Sequence, residues 1–183
     1  MHPCVHARAH PDKAAVIVAE TGETISYGAM EAASNRAAQL FRAQGLQHED
    51  VVAFMLENTP HYYGLVWGAQ RAGLRYVCIS SRLTQDETDY ILENSGARML
   101  VVSASLGDAA LALTADVDRY VLGGDLPGFA CWESAVAAMP DTPIADERAG
   151  TDMLYSSGTT GRPKGVRVPL PAEPAIDAPN ALV

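Results

Sequence analysis

Residues 154–166 read LYSSGTTGRPKGV. The serine and threonine hydroxyls of Ser156, Ser157, Thr159 and Thr160 share this short stretch with Gly158, Gly161 and Lys164. Glycines let a backbone turn sharply and point successive N–H groups into one concavity. The hydroxyls add donors and Lys164 adds a positive charge on a long stem. Such a set suits the oxygens of a polyphosphate. It is not a Walker A loop, which needs G-x-x-x-x-G-K-[ST] opening straight into a helix. Here Gly158 and Gly161 are three apart, Pro163 precedes Lys164, and Gly165 stands where a Mg²⁺-binding Ser or Thr would be. A flexible Ser/Gly linker is the alternative. The apolar flanks and the Arg162-Pro163-Lys164 run weigh against it.

The elements that must hold this loop are legible as an alternation. Residues 14–19 (AAVIVA) and 24–26 read as a hairpin across TGE. Ser26 is placed as the N-cap of a helix over 27–44, with Met30, Ala33, Ala37, Leu40 and Phe41 on one face and Gly45 just past its end. Apolar strands are then expected at 51–56, 75–79, 99–102 and 119–122. Helices separate them. One opens at Thr59-Pro60 as N-cap and N1, one opens at the Thr84/Glu87 capping-box pair and ends near Gly96, and one covers 106–115. Continuously apolar strands joined by helices predict an α/β fold with a parallel sheet buried on both faces and right-handed crossovers. A loop over 125–129, a short helix over 132–139 stopped by Pro140, and an irregular stretch over 141–150 follow. A strand over 152–156 enters the loop and a return strand over 166–168 leaves it, giving strand–loop–strand, because Pro163 and Gly165 disfavour a helix. The tail, 169–183, holds four prolines and is expected to form neither helix nor central strand. The empty loop itself is expected to be mobile.

Composition narrows the function. The chain has 183 residues, a formal net charge of −9 and a pI near 4.9. That balance opposes nucleic-acid binding and a polybasic membrane patch. No apolar run reaches the length of a membrane span, and the N-terminal residues lack the apolar core of a secretion signal. Three widely spaced cysteines, Cys4, Cys78 and Cys131, fit a reduced, cytoplasmic chain. His2, His6 and His10 would line up on a helix with Cys4 between them, but Pro3 and Pro11 flank them, and no metal site is assigned. Tyr62, Tyr63 and Trp67 are expected to pack on the sheet, with an acyl channel or a homodimer contact as alternatives. Asp86, Glu87 and Asp89 read as the acidic first turn of a helix, and Cys78 as an inert core residue.

SSGTTGRPKG resembles the phosphate-loop signature of the adenylate-forming enzymes: acyl-CoA synthetases, luciferases and the adenylation domains of peptide synthetases. The upstream stretches TISYGAMEAASNRAAQLFRAQGLQHEDVVAFMLENTPHYYGLVWGAQRAG and RLTQDETDYILENSGARMLVVS are similar to the family's opening region, so the resemblance covers about residues 9–168. It is nearest to the bacterial fatty acyl-CoA synthetase branch. The resemblance implies ATP and Mg²⁺, with a carboxylic acid and CoA as co-substrates. A carboxylate attacks the α-phosphate of ATP to give acyl-AMP, and a thiol then takes the acyl group. It implies that Ser156, Ser157, Gly158, Thr159, Thr160, Gly161 and Lys164 hold the β- and γ-phosphates, while Arg162 and Pro163 shape the turn. The family's Mg²⁺ Glu, ribose Asp and α-phosphate Lys have no counterpart in this sequence, and the His common soon after the loop is lacking. Residues 1–168 are therefore expected to form a partial, N-terminal AMP-binding domain, with 169–183 as a tail that begins missing sequence. No residue is assigned a catalytic role, and the chain alone is expected to be inactive. A non-catalytic folded fragment, serving as a binding or dimerisation module, is the alternative.

Overall fold

The computed structural model describes residues 2–156, 162–172 and 174–178. Helix α1 (Cys4–Ala9) is followed by strands β1 (Ala14–Ile17) and β2 (Thr24–Ser26), which pair antiparallel as expected. The Ser26 hydroxyl accepts from the Ala29 N–H at 3.2 Å and opens α2 (Tyr27–Ala43). Gly45, at φ +78°, follows its end, a conformation costly for any residue with a Cβ.

The chain then alternates through β3 (Val51–Met55), α3 (Tyr62–Arg71), β4 (Arg75–Cys78), α4 (Gln85–Ser95) and β5 (Ala97–Ser103). A 3₁₀ turn, α5 (Gly107–Ala112), β6 (Asp118–Leu122), β7 (Ala130–Cys131), α6 (Trp132–Ala137) and β8 (Thr151–Asp152) complete the layer. Six strands form one sheet in the order β7-β6-β5-β3-β4-β8. Every neighbouring pair is parallel, so the four expected strands pair as the sequence predicts. All of β3 is buried. Val52 and Phe54 enter a core with Phe41 and Leu65 from α2 and α3, while Val51, Ala53 and Met55 enter a second core with Ile91 and Leu92 from α4. Among the described residues no helix is long and apolar enough to cross a membrane.

Two helices differ from expectation. Thr59-Pro60 is a turn, not the start of α3: the Thr59 hydroxyl and carbonyl accept from the N–H groups of His61 and Tyr62, and His61 is an N-cap without a side-chain bond. The helix expected over 106–115 ends at Ala112. Beyond it, the Asp89 carboxylate accepts from the Thr114 N–H and hydroxyl and from the Ala115 N–H at 2.9–3.1 Å, drawing that segment out of the helical path. Asp89 is thus a tertiary anchor beyond the first-turn acid it was expected to be, whereas Glu87 closes the expected capping box with Thr84.

Close helix packing depends on small residues. A Cβ built on Gly68 of α3 would lie 2.5 Å from the Ala37 Cβ of α2. At the end of α3, fully buried Arg71 meets Glu31 at 2.7 Å and Glu147 at 3.5 Å, and burial pushes the Glu147 carboxyl up. The tail lies across this end without forming helix or strand among its described residues. Its Pro174 carbonyl accepts from Ala149, its Ile176 carbonyl accepts from His2, and Asp177 pairs with Arg8. His2 is buried, its Nδ1 accepting from the Cys4 N–H and its Nε2 against the Trp67 carbonyl at 3.2 Å.

Replacing Gly68 by Ala is expected to cost about 1–3 kcal/mol of stability by overpacking, measured by urea unfolding. His2 supplies a pH prediction. Burial lowers its pKa from the ordinary 6.5 to about 4. The unfolded chain therefore takes up a proton at His2 before the folded chain does. The contribution is full above pH 6.5 and is lost as pH falls toward 4, at most about 3 kcal/mol. An NMR titration should show the His2 ring neutral at pH 5, and a ring half-protonated near pH 6.5 would contradict this burial.

Candidate phosphate site

The sheet delivers the loop at the carboxyl ends of its strands. Strand β8 pairs with β4, and the Met153 N–H still donates to the Tyr76 carbonyl at 2.9 Å. The chain then leaves the sheet as β9 (Leu154–Ser156), which pairs antiparallel with β10 (Lys164–Val166). The strand expected over 152–156 is therefore two strands with a break at Met153. The return strand begins at Lys164, earlier than the expected 166–168, and ends at Val166, opposite the first residue of β9; beyond it the Arg75 guanidinium donates to the Val168 carbonyl at 2.6 Å. The strand–loop–strand reading holds.

The register sets Ser156 opposite Lys164, Tyr155 opposite Gly165 and Leu154 opposite Val166. Ser156 and Lys164 are both exposed and flank the loop at its base. Ser157, Gly158, Thr159, Thr160 and Gly161 lie outside the described residues, and so does the expected mobility of the loop. Beyond them the Arg162 guanidinium stands 5.0 Å from the centre of the Tyr90 ring of α4. On the other stem the Tyr155 hydroxyl donates to Asn94 Oδ1 at 2.8 Å. Burial and neighbouring Tyr90 push the Tyr155 phenol up, so it stays a donor at neutral pH. A hydroxyl and an ammonium facing solvent at the ends of paired strands can receive an anion between them. Sequence reasoning assigned nothing to Tyr90, Asn94 or Tyr155. The one signal was the four-residue spacing of Tyr90 and Asn94 on a helix face.

Among the described residues no group of three or more His, Cys, Asp and Glu is arranged to hold a metal ion. The N-terminal histidines do not converge: His2 turns into the core against Trp67, and His6 stacks near Tyr27 at 5.2 Å. The aromatic group on α3 also splits. Tyr62 packs against Phe54, Trp67 against His2, and Tyr63 is 46% exposed.

Beside the site an open groove of about 870 Å³ runs between β1, the start of α3 and the carboxyl ends of β3 and β4. Ile17, Leu56, Tyr62, Tyr63, Tyr76 and Cys78 line it. Cys78 is thus exposed, not the core residue expected. Strand alternation puts Tyr76 and Cys78 on the face opposite buried Val77, and there the groove takes the place of a covering helix. The surrounding side chains still push the Cys78 thiol up, and they hold Tyr76 at about 12.

A parallel α/β layer with a Ser/Gly/Thr-rich sequence beyond the carboxyl end of its edge strand has its candidate site where open α/β sheets bind ligands. The chain matches the AMP-binding enzyme family over residues 5–170 and belongs to that family. It is 33% identical over 170 residues to a fatty acid–[acyl-carrier-protein] ligase of Streptomyces coeruleorubidus, covering 88% of this chain and 31% of that protein. It is 32% identical over 164 residues to a long-chain-fatty-acid–CoA ligase of Mycobacterium tuberculosis, covering 87% and 32%. The chain thus spans about a third of the length of these relatives. An acyl-CoA synthetase of Brucella canis shares the fold at a TM-score of 0.79 and 23% identity, over 92% of this chain and 33% of that one. The N-terminal domain of a Mycobacterium tuberculosis protein, FACL13, matches at 0.74 and 26% identity, over 90% and 42%.

Thiol labelling checks the groove. Cys78 should react in the native chain at a rate that rises with pH through 9, while Cys4, 1% exposed, should stay unlabelled until the chain unfolds. Protection of Cys78 equal to that of Cys4 would contradict the open groove.

Proposed function

We propose that this chain carries the polyphosphate-holding part of an acyl-activating ligase that uses ATP, a fatty acid and CoA. The observation that carries the reading is the antiparallel pairing of Ser156 with Lys164 at the base of the Ser/Gly/Thr loop, beyond the carboxyl end of β8. In the proposed reaction a carboxylate oxygen bonds to the α-phosphorus of ATP and the bond to pyrophosphate breaks. A thiol sulfur then bonds to the acyl carbon and AMP leaves. Negative charge grows on the departing β- and γ-phosphates. The Lys164 ammonium, the Ser156 hydroxyl and the loop residues Ser157, Gly158, Thr159, Thr160 and Gly161 are assigned to it. Such catalysis is positioning and electrostatic stabilisation rather than proton transfer. Mg²⁺ would neutralise phosphate charge; its protein ligands are not assigned to this chain.

The chain alone should not form acyl-AMP. It spans about a third of its relatives' length, and losing one preorganised donor already costs about two to three orders of magnitude in rate. A net charge of −9 adds a salt-sensitive penalty to anion binding. We also propose that it works in the cytoplasm, a reading supported by its three cysteines being widely spaced and odd in number. A binding or dimerisation role is the second reading. Leu154 and Val166 favour it: they pair across the hairpin and are 62% and 50% exposed, an apolar pair open to a partner.

The test is fatty-acid-dependent exchange of labelled pyrophosphate into ATP, with Lys164→Ala as the control. No exchange above the control is expected of residues 1–183. Exchange above it would show a complete acyl-activating site and overturn the proposed incompleteness. A concentration-dependent dimer that Leu154→Ser abolishes would favour the second reading.

A further inference from the structure

We propose that the C-terminal half of α4 is the seat that fixes both stems of the hairpin, with Tyr90, Asn94, Tyr155 and Gly165 as positioning residues. The inference rests on the reading of that hairpin as a phosphate holder. Tyr90 and Asn94 lie four residues apart on α4 and so share a face. Asn94 Oδ1 receives the Tyr155 hydroxyl at 2.8 Å, on the strand entering the loop. The Tyr90 ring receives the Arg162 guanidinium at 5.0 Å, just before the strand leaving it. One helical turn thus grips the chain on each side of the loop.

Gly165 makes the first grip sterically feasible. A Cβ there would lie 2.9 Å from Tyr155 Cζ, 3.0 Å from its hydroxyl oxygen and 2.9 Å from Met153 Cε. The tyrosine ring crosses the hairpin over the space a side chain would fill, and so reaches α4. The seat is needed because β9 and β10 are three residues each and, among the described residues, pair only with one another. A lone two-stranded hairpin is at best marginally stable in water. The helix itself is firm: Thr84 and Glu87 cap its start, Gly96 at φ +71° closes its end, and Ile91 and Leu92 are buried beneath it. Donors aimed at developing charge act only when fixed before the charge appears. A hairpin seated on α4 holds Ser156 and Lys164 in that sense.

The experiment uses the 183-residue chain and its Tyr155→Phe, Asn94→Ala and Asn94→Asp variants. Asn94→Asp keeps the acceptor oxygen. Amide hydrogen exchange is read by NMR across β9 and β10, with urea unfolding alongside. Exchange in the hairpin should quicken about five- to tenfold in Tyr155→Phe and Asn94→Ala and stay near wild type in Asn94→Asp, with the urea midpoint unchanged. Unchanged hairpin exchange, or acceleration only in step with global destabilisation, overturns the seat. Inorganic tripolyphosphate binding, by calorimetry, separates the two readings. Weaker binding by the first two variants supports the positioning role, and equal binding by all variants contradicts it. If wild type binds none, or Lys164→Ala binds equally well, the phosphate reading falls while hydrogen exchange still decides the seat.

Discussion

The requirement that a parallel strand be covered on both faces governs this molecule. Strand β3 is buried along its whole length, and its side chains alternate between two cores. One core calls α2 and α3 to its side, close enough that a Cβ on Gly68 would collide with Ala37 and one on Gly64 would press on Ala33. The other calls α4 and α5, and Asp89 ties them together through Thr114 and Ala115. Because α4 is fixed by that burial, its exposed face is a rigid surface. The short strand β8 ends level with Tyr76, so the chain leaves the sheet beside that surface. The position of the Ser156–Lys164 pair is thus a consequence of the sheet's need for cover.

Charge plays the opposite part. Arg71 is fully buried between Glu31 and Glu147, and Glu31 Oε2 and Arg71 Nε have no hydrogen-bond partner among the described residues. Such a cluster adds little net stability over an apolar replacement, but removing one member strands the others. Here it ties α2 and α3 to the segment that leads from α6 to β8, the same segment that delivers the loop. The tail and α1 close over this end, held by His2, Arg8 and Asp177.

What the sequence made legible was local. The Thr84/Glu87 box and Gly96 bound α4 because capping chemistry lies within one turn. The four apolar strands were legible because two-sided burial leaves no polar alternation. Ser156 and Lys164 were legible by type, and a return strand in place of a helix followed from Pro163 and Gly165; that Lys164 itself opens that strand opposite Ser156 was not legible. The errors arose where a distant group won. Asp89 reshaped residues 25 positions away, and Arg75 took the Val168 carbonyl while the return strand lies two residues earlier than expected. Cys78 reads as core in an apolar run, yet among the described residues an open groove borders that face of β4 at its end. The seat beneath the hairpin was invisible for the same reason, since Asn94 and Tyr155 are 61 residues apart.

The central claim is that this hairpin, on this end of the sheet, receives polyphosphate. Amide chemical-shift mapping with inorganic tripolyphosphate at low salt tests it most directly, because it reports where the anion sits without requiring turnover. The account predicts shifts confined to Ser156, Lys164, the loop between them and the adjoining face of α4, fading as salt is raised and vanishing in Lys164→Ala. Shifts centred on the groove at Cys78 or on the tail, or none at millimolar anion, would contradict it.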